Sequence, residues 1–338
     1  MDNATVTPEE DITDWRHIGP YLEAVVLFIV VAFIVSGNII CLIVVQMSSA
    51  LNEISRVFMT SLSMSDLMAG TLYGSFTIGA AALGRWPYGH EFCSLSAIIT
   101  VLATSVSMMS LLAMNLERYI AIVYPYVYIQ HMTIKKSRIN VLVIWSGSLG
   151  WALLYGLLPG REAAYHSGFH TCFYNPIDHH QVDIPGLLTV ICFICVSFIT
   201  TLVLYSILFR IARKHMRAIT AQQSANTNPP HGRQFRKSDA KAAVTFFVVT
   251  MAYALAWLPF VCCYFYETFT GKITPDVIAS LTQLLALSNS WWNIVIYYAR
   301  NTEFRKQARK IMCCFDSNGS TEAAATRITT NRSATPGI

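Results

Sequence analysis

SLSAIITVLATSVSMMSLLAMNLERYIAIVYP, residues 94–125, decides the fold. Ser94 to Leu116 is a run of 23 residues without a charge, and it ends on an adjacent acid and base, Glu117-Arg118. A helix needs about 20 apolar residues to cross the hydrocarbon core of a bilayer. The run is therefore long enough to span a membrane, and the charged pair marks where the chain leaves it. The whole chain agrees: 54% of its residues are apolar and 13% charged, too few charges to clothe a soluble domain.

Further windows free of Asp, Glu, Lys and Arg lie at Ala24–Val45, Ile139–Gly160, Ile184–Phe209, Ala242–Tyr266 and Val277–Ala299. Val57–Gly84 is equally apolar between its ends except for Asp66 and Arg85 just beyond. With the opening run these make seven spans, and the fold class read from them is an all-α membrane protein, a seven-transmembrane helix bundle. The bundle domain is expected over 21–300, after a polar N-terminal segment, 1–20. That segment, MDNATVTPEEDITDW at its start, is acidic and lacks the basic-then-apolar order of a signal peptide. Span one is then expected to direct insertion.

Connecting segments divide sharply by charge. The N-terminus, 84–92, 161–183 and 267–276 together hold 4 of the 24 Lys and Arg, whereas 46–56, 117–138, 210–241 and 300–338 hold 20. Basic loops stay in the cytoplasm, so the expected topology is N-terminus extracellular and C-terminus cytoplasmic. Anionic lipid headgroups account for the basic face without a nucleic acid. Asn3-Ala4-Thr5 then falls outside as a glycosylation tripeptide. Of 9 cysteines, Cys93 and Cys172 alone face the oxidising side, which predicts a disulfide between them. Cys313 and Cys314, about 15 residues past the last span, are candidates for palmitoylation.

Between span seven and those cysteines lies NTEFRKQARKIM. Phe304, Ala308, Ile311 and Met312 share one helical face and Arg305, Lys306, Arg309 and Lys310 the other, which predicts a short amphipathic eighth helix on the membrane surface over 301–314. Asn301 is its expected N-cap. The segment 210–241 reads as a short basic connector with a mobile centre, and 315–338 as a disordered Ser/Thr-rich tail.

Several motifs, in order, resemble those of the class A, rhodopsin-like G protein-coupled receptors. They are Gly37-Asn38, Leu62-Ser63-Met64-Ser65-Asp66, Glu117-Arg118-Tyr119, Trp145, Ala256-Trp257-Leu258-Pro259 and Asn293-Ile294-Val295-Ile296-Tyr297. The resemblance covers about residues 20–315 and implies a plasma-membrane receptor that acts on heterotrimeric G proteins, with arrestin and receptor kinases as further partners. It also departs from the family. Ser197 and Ile294 replace the prolines of spans five and seven, so both are expected to run straighter than usual, and Ala256 replaces a cysteine.

An ionisable residue within a span costs about 2.5–3.5 kcal/mol on insertion scales, so Asp66 needs polar company or a role. Asn38, Ser107, Asn289, Ser290 and Asn293 lie at comparable depth. Oxygen groups of this kind suit a hard cation, and the resemblance implies a sodium pocket at Asp66, Ser107, Asn289 and Asn293; a polar network without an ion is the alternative. The resemblance makes Arg118 a switch, pairing with Glu117 and with Asp239 at the start of span six. It makes Trp257 and Pro259 the transmission point, with Tyr205 and Tyr297 holding the active arrangement.

No covalent cofactor is expected. Leu287 stands where retinal proteins carry lysine, and Thr100 where amine receptors carry aspartate. The remaining candidate ligand contacts, Thr100, Thr104, Thr189, Phe193, Phe260, Tyr264 and Gln283, are neutral. They suit a neutral or lipid-like small molecule, or a receptor active without ligand and partly filled by its own loop. An atypical amine receptor is the alternative. A transporter is disfavoured, since spans one to three do not resemble five to seven. An intramembrane enzyme is disfavoured too: neither HExxH, GxSxG nor paired intramembrane aspartates occur.

Overall fold

The structure is a computed structural model. Its backbone is described over residues 9–48, 51–176, 183–225 and 237–311, and its side chains over 19–48, 51–176, 183–211 and 244–311. Asn3, Cys313, Cys314 and the side chain of Asp239 lie outside these.

Span one is the helix Glu9–Met47. Span two runs through Glu53–Met68, Ala69–Gly74 and Ser75–Leu83, span three is His90–Val123 and span four Ile134–Leu157. A two-stranded hairpin follows, β1 Arg161–His166 and β2 Thr171–Pro176. Span five runs Ile184–Thr189, Val190–Cys195 and Val196–Ala225, span six is Lys237–Thr270 and span seven Asp276–Arg300. A short helix, Pro125–His131, joins spans three and four, and residues 302–311 form a last helix.

Among the described residues, five helices are long and apolar enough to cross a membrane by length and composition alone. Spans two and seven fall short for a physical reason: they carry the polar groups that the bundle turns inward. Asp66, Asn289, Ser290 and Asn293 are all buried, as are Asn38, Asn115, Glu117 and Arg118 on spans one and three. The outer surface is the reverse, with Leu142 67%, Leu255 63% and Phe28 62% exposed. Such a molecule is stable only where lipid covers its outside.

Helix ends follow local chemistry. Asn52 Oδ1 accepts from Ile54 N at 2.9 Å and Asp183 Oδ1 from Gly186 N at 3.0 Å, each filling an orphan donor of a first turn. Asn301 does the same for Glu303 N at 3.0 Å and Phe304 N at 3.1 Å, as its sequence position predicts. The apolar face of that last helix packs into the bundle: Phe304, Ala308 and Ile311 are buried in the same core as Tyr297 and Phe58.

Two interhelical contacts explain family-like motifs. Asn38 Nδ2 donates to Ser290 O of span seven at 2.9 Å, and a Cβ on Gly37 would stand 2.7 Å from Ile294 Cδ1. The isoleucine in the proline's place thus fills the notch that glycine leaves in span one. Trp145 Nε1 donates to Ser61 Oγ at 3.0 Å, and Ser61 pairs with Ser110 at 2.9 Å, joining spans two, three and four.

Span five departs from expectation. Without a proline a regular helix is predicted, yet the backbone widens over Val190–Cys195 into π-type turns, which carry an extra residue and rotate the faces beyond them. Phe193 is not among the cavity residues, a correction to the sequence-based set. The cavity takes Gly186, Val190 and Ile194, each four residues on from the last, together with Thr189, whereas Phe193 packs on Trp151 at 6.1 Å. Span two widens likewise over Ala69–Gly74.

Candidate functional site

At the hairpin end, loop and spans enclose a cavity of about 1050 Å³ counted with its open mouth. Thr100, Thr104, Thr189, Phe260, Tyr264 and Gln283 line it as expected, together with Tyr73, Tyr155 and Phe173. Most of its polar groups are already in use. Thr100 Oγ1 donates to Ser96 O at 2.8 Å, Thr189 Oγ1 to Pro185 O at 2.8 Å, and Gln283 Nε2 to Tyr73 OH. Tyr264 OH donates to Asp183 Oδ2 at 3.3 Å. An occupant meets mainly rings, methyl groups and satisfied hydroxyls.

The hairpin roofs this cavity. Cys172 is bonded to Cys93 of span three, with 5.4 Å between Cα atoms, as the sequence predicts. Carboxylates from four other spans clamp the rest. Arg161 pairs with Asp183 at the start of span five and lies over the Tyr155 ring, 4.7 Å from its centroid. His166 Nε2 lies 3.3 Å from Glu267 Oε2 of span six, Ser167 Oγ donates to Asp276 Oδ1 of span seven at 3.2 Å, and His170 Nε2 lies 2.7 Å from Glu23 Oε2 of span one. Burial, with Asp276 and Glu23 nearby, pushes the Tyr165 phenol of the same hairpin up to about 12. The turn presses so closely on span seven that a Cβ on Gly168 would stand 2.6 Å from the Ala279 Cβ. Only glycine fits.

Beneath the roof a column of aromatic rings runs down span six. Phe169 meets Phe260 at 5.1 Å, Phe260 meets Trp257 edge-on at 5.5 Å, and Trp257 stacks on Tyr253 at 5.7 Å. Pro259 sits inside this helix and, lacking an N–H, leaves the Leu255 carbonyl without its usual partner. The cavity follows the column down to Asp66, Ser107, Asn289 and Ser290. There Asn293 Nδ2 donates to Asp66 Oδ2 at 2.8 Å, while Ser107 Oγ and Asn289 Oδ1 are buried without a hydrogen-bond partner. Asn293 thus meets Asp66 directly, while Ser107 and Asn289 share the cavity lining with it.

At the opposite end Arg118 and Glu117 are both buried and joined by two bonds, Nε to Oε2 at 2.5 Å and Nη2 to Oε1 at 2.6 Å. Ser55 Oγ of span two accepts from Arg118 Nη2 at 2.5 Å, and Tyr128 OH donates to Glu117 Oε1 at 2.5 Å. Burial and the adjacent Glu117 carboxylate raise the Tyr128 phenol above its ordinary value, which keeps it a donor. Tyr119 packs edge-on against Tyr124 at 6.1 Å. The expected tether to Asp239 falls outside the described side chains.

Sequence reasoning missed the links around Asn115. It accepts from Tyr205 OH at 3.1 Å and donates to Thr201 at 3.2 Å and Thr250 at 2.9 Å, binding span three to five and six. Its signal was an amide inside the opening charge-free run. Tyr297, also buried, packs on Phe246 at 6.3 Å and Phe304 at 5.9 Å.

The bundle thus holds a roofed cavity at one end, a buried carboxylate below it and a paired arginine at the far end. Residues 37–297 match the 7 transmembrane receptor (rhodopsin family), and the chain belongs to that family. It is therefore a multi-pass membrane protein and a G protein-coupled signalling receptor, not an enzyme. It is 26% identical over 309 residues to the histamine H2 receptor of Homo sapiens, covering 90% of this chain and 82% of that protein. It is similar also to trace amine-associated receptor 13c of Danio rerio, 28% identical over 298 residues with 85% and 84% covered. A third relative is the probable G-protein coupled receptor 21 of Mus musculus, 26% identical over 296 residues with 84% and 81% covered.

Proposed function

We propose that the chain, with its N-terminus outside the cell, answers a neutral, largely apolar small molecule held in the cavity between the hairpin and Trp257. The observation that carries this is the lining: among the cavity residues Asp66 is the one carboxylate, and it sits at the floor with an oxygen bonded to Asn293. Two relatives are named for amines, but at Thr100 the matching aspartate is missing, and an ammonium ion buried beside that hydroxyl would lack a counter-charge. In cells carrying a G protein dissociation sensor, a neutral lipid extract should evoke a signal that Thr104→Trp, which fills the cavity, removes. Histamine and trace amines should be inert. A response to an amine and none to the extract would refute the reading.

A second reading has its own support, the continuous ring contacts from the hairpin to Trp257. In it the hairpin drives signalling with no ligand added. Joint replacement Phe169→Ala and Phe173→Ala then lowers the basal signal severalfold at equal surface expression. A basal signal unchanged or raised makes the hairpin a cover only.

The Asp66 cluster fits a hydrated monovalent cation. Its carboxylate supplies the charge, and the unpartnered oxygens of Ser107 and Asn289 supply neutral ligands of the hard type such ions prefer. When bound, sodium would neutralise Asp66 and favour the resting arrangement. Palmitate on Cys313 and Cys314, glycan on Asn3, the Arg118–Asp239 tether, and arrestin docking to a kinase-phosphorylated tail complete the proposed receptor.

A further inference from the structure

The floor of the cavity holds more polar atoms than the four residues assigned to sodium. Tyr253, on span six, lines the same cavity as Asp66, Ser107 and Asn289. Its side chain is 1% exposed, and its hydroxyl is buried without a hydrogen-bond partner. The indole Nε1 of Trp257, stacked on the Tyr253 ring, is in the same condition. Among the described residues the cavity floor thus collects two unpartnered donors, from Tyr253 and Trp257, and two unpartnered acceptor oxygens, from Ser107 and Asn289, beside one carboxylate.

A buried phenol is a poor choice for packing alone, because phenylalanine has the same shape and no hydroxyl to desolvate. The position needs the hydroxyl only if something within the cavity takes its proton in a hydrogen bond. A hydrated cation at Asp66 presents such an acceptor: the water molecules in its shell keep lone pairs for donors in the wall. Apolar cavities stay dry, whereas a cavity with several converging polar groups holds ordered water.

We propose that the Tyr253 hydroxyl is a further binding group of the Asp66 pocket, donating to the hydration shell of a monovalent cation and so raising the affinity for sodium. This rests on the assignment of sodium to Asp66. It also gives the ring column a chemical end point, since Tyr253 touches Trp257 on one side and the cation shell on the other. A shift of Trp257 then disturbs the cation through one side chain. Tyr253 acts here as a positioning residue.

The experiment uses the purified full chain in detergent or nanodiscs, melted in rising sodium chloride with choline chloride keeping ionic strength constant. Three proteins are compared: the natural chain, Tyr253→Phe and Asp66→Asn. The natural chain should melt higher as sodium rises, with a defined half-effect concentration. Tyr253→Phe should keep a sodium response but need about threefold to tenfold more sodium, the worth of one hydrogen bond. Asp66→Asn should show no response. A Tyr253→Phe midpoint equal to that of the natural chain overturns the proposal while leaving sodium at Asp66. A variant that melts higher in choline with an unmoved midpoint does the same, and marks the hydroxyl as an uncompensated buried group. If the natural chain and Asp66→Asn respond alike, the sodium assignment itself fails.

Discussion

Arg118→Ala is expected to cut receptor-driven nucleotide exchange about tenfold or more per folded receptor, the loss that about 1.4 kcal/mol of coupling produces. In the structure the guanidinium is committed to Glu117 and Ser55, and its planar fork is what lets it bind a carboxylate now and a partner's acceptors later. Alanine removes that second engagement. It also leaves Glu117, buried and with Tyr128 as a donor, without its cation; breaking a buried pair in this way costs about 3–5 kcal/mol. Signal must therefore be read per receptor at the surface. Glu117→Gln separates the two effects, because it weakens the grip on Arg118 while keeping the arginine. It should raise basal signal where Arg118→Ala lowers it. Loss in both would mean that the pair serves stability alone.

The second large effect is at the hairpin. Cys93→Ser and Cys172→Ser are each expected to cost about 2–5 kcal/mol, the usual worth of a native disulfide, and to lower the melting temperature and surface expression by similar amounts. The bond joins residues 79 apart in sequence, and Cys172, within the hairpin, is fully buried. Since both substitutions remove the same bond, the double variant should be no worse than either single one. The carboxylate clamps to Arg161, His166, Ser167 and His170 remain, so the hairpin loosens rather than departs. A single variant that melts like the natural chain under oxidising conditions would show that the clamps alone hold the loop.

The spans were legible because a membrane imposes one rule on each of them, and the run before Glu117 obeys it for 23 residues. Motif positions marked Asp66 and Asn293, which the structure joins across spans two and seven, and Trp257 and Phe260, which pack on one another in span six. Phe193 was misplaced because it lies four residues after Thr189, whereas the cavity follows the adjoining line of Gly186, Val190 and Ile194, and neighbouring faces of an apolar helix look alike in sequence. The hairpin was hidden for another reason. Its clamps are long-range pairs such as His170 with Glu23, which lie 147 residues apart, and a single sequence holds no sign of which carboxylate meets which loop residue. Tyr253 was passed over because an aromatic residue in an apolar run reads as packing until its hydroxyl is seen to line a polar cavity floor.

A signal entering beneath the hairpin should leave through Arg118 to a G protein. Nucleotide exchange on purified heterotrimers tests this most directly, with the chain in nanodiscs, with and without the neutral lipid extract. The natural chain should accelerate exchange on at least one class of heterotrimer, Arg118→Ala should not, and Glu117→Gln should do so without extract. Equal exchange with the natural chain and with Arg118→Ala, across every class of heterotrimer, would contradict this route.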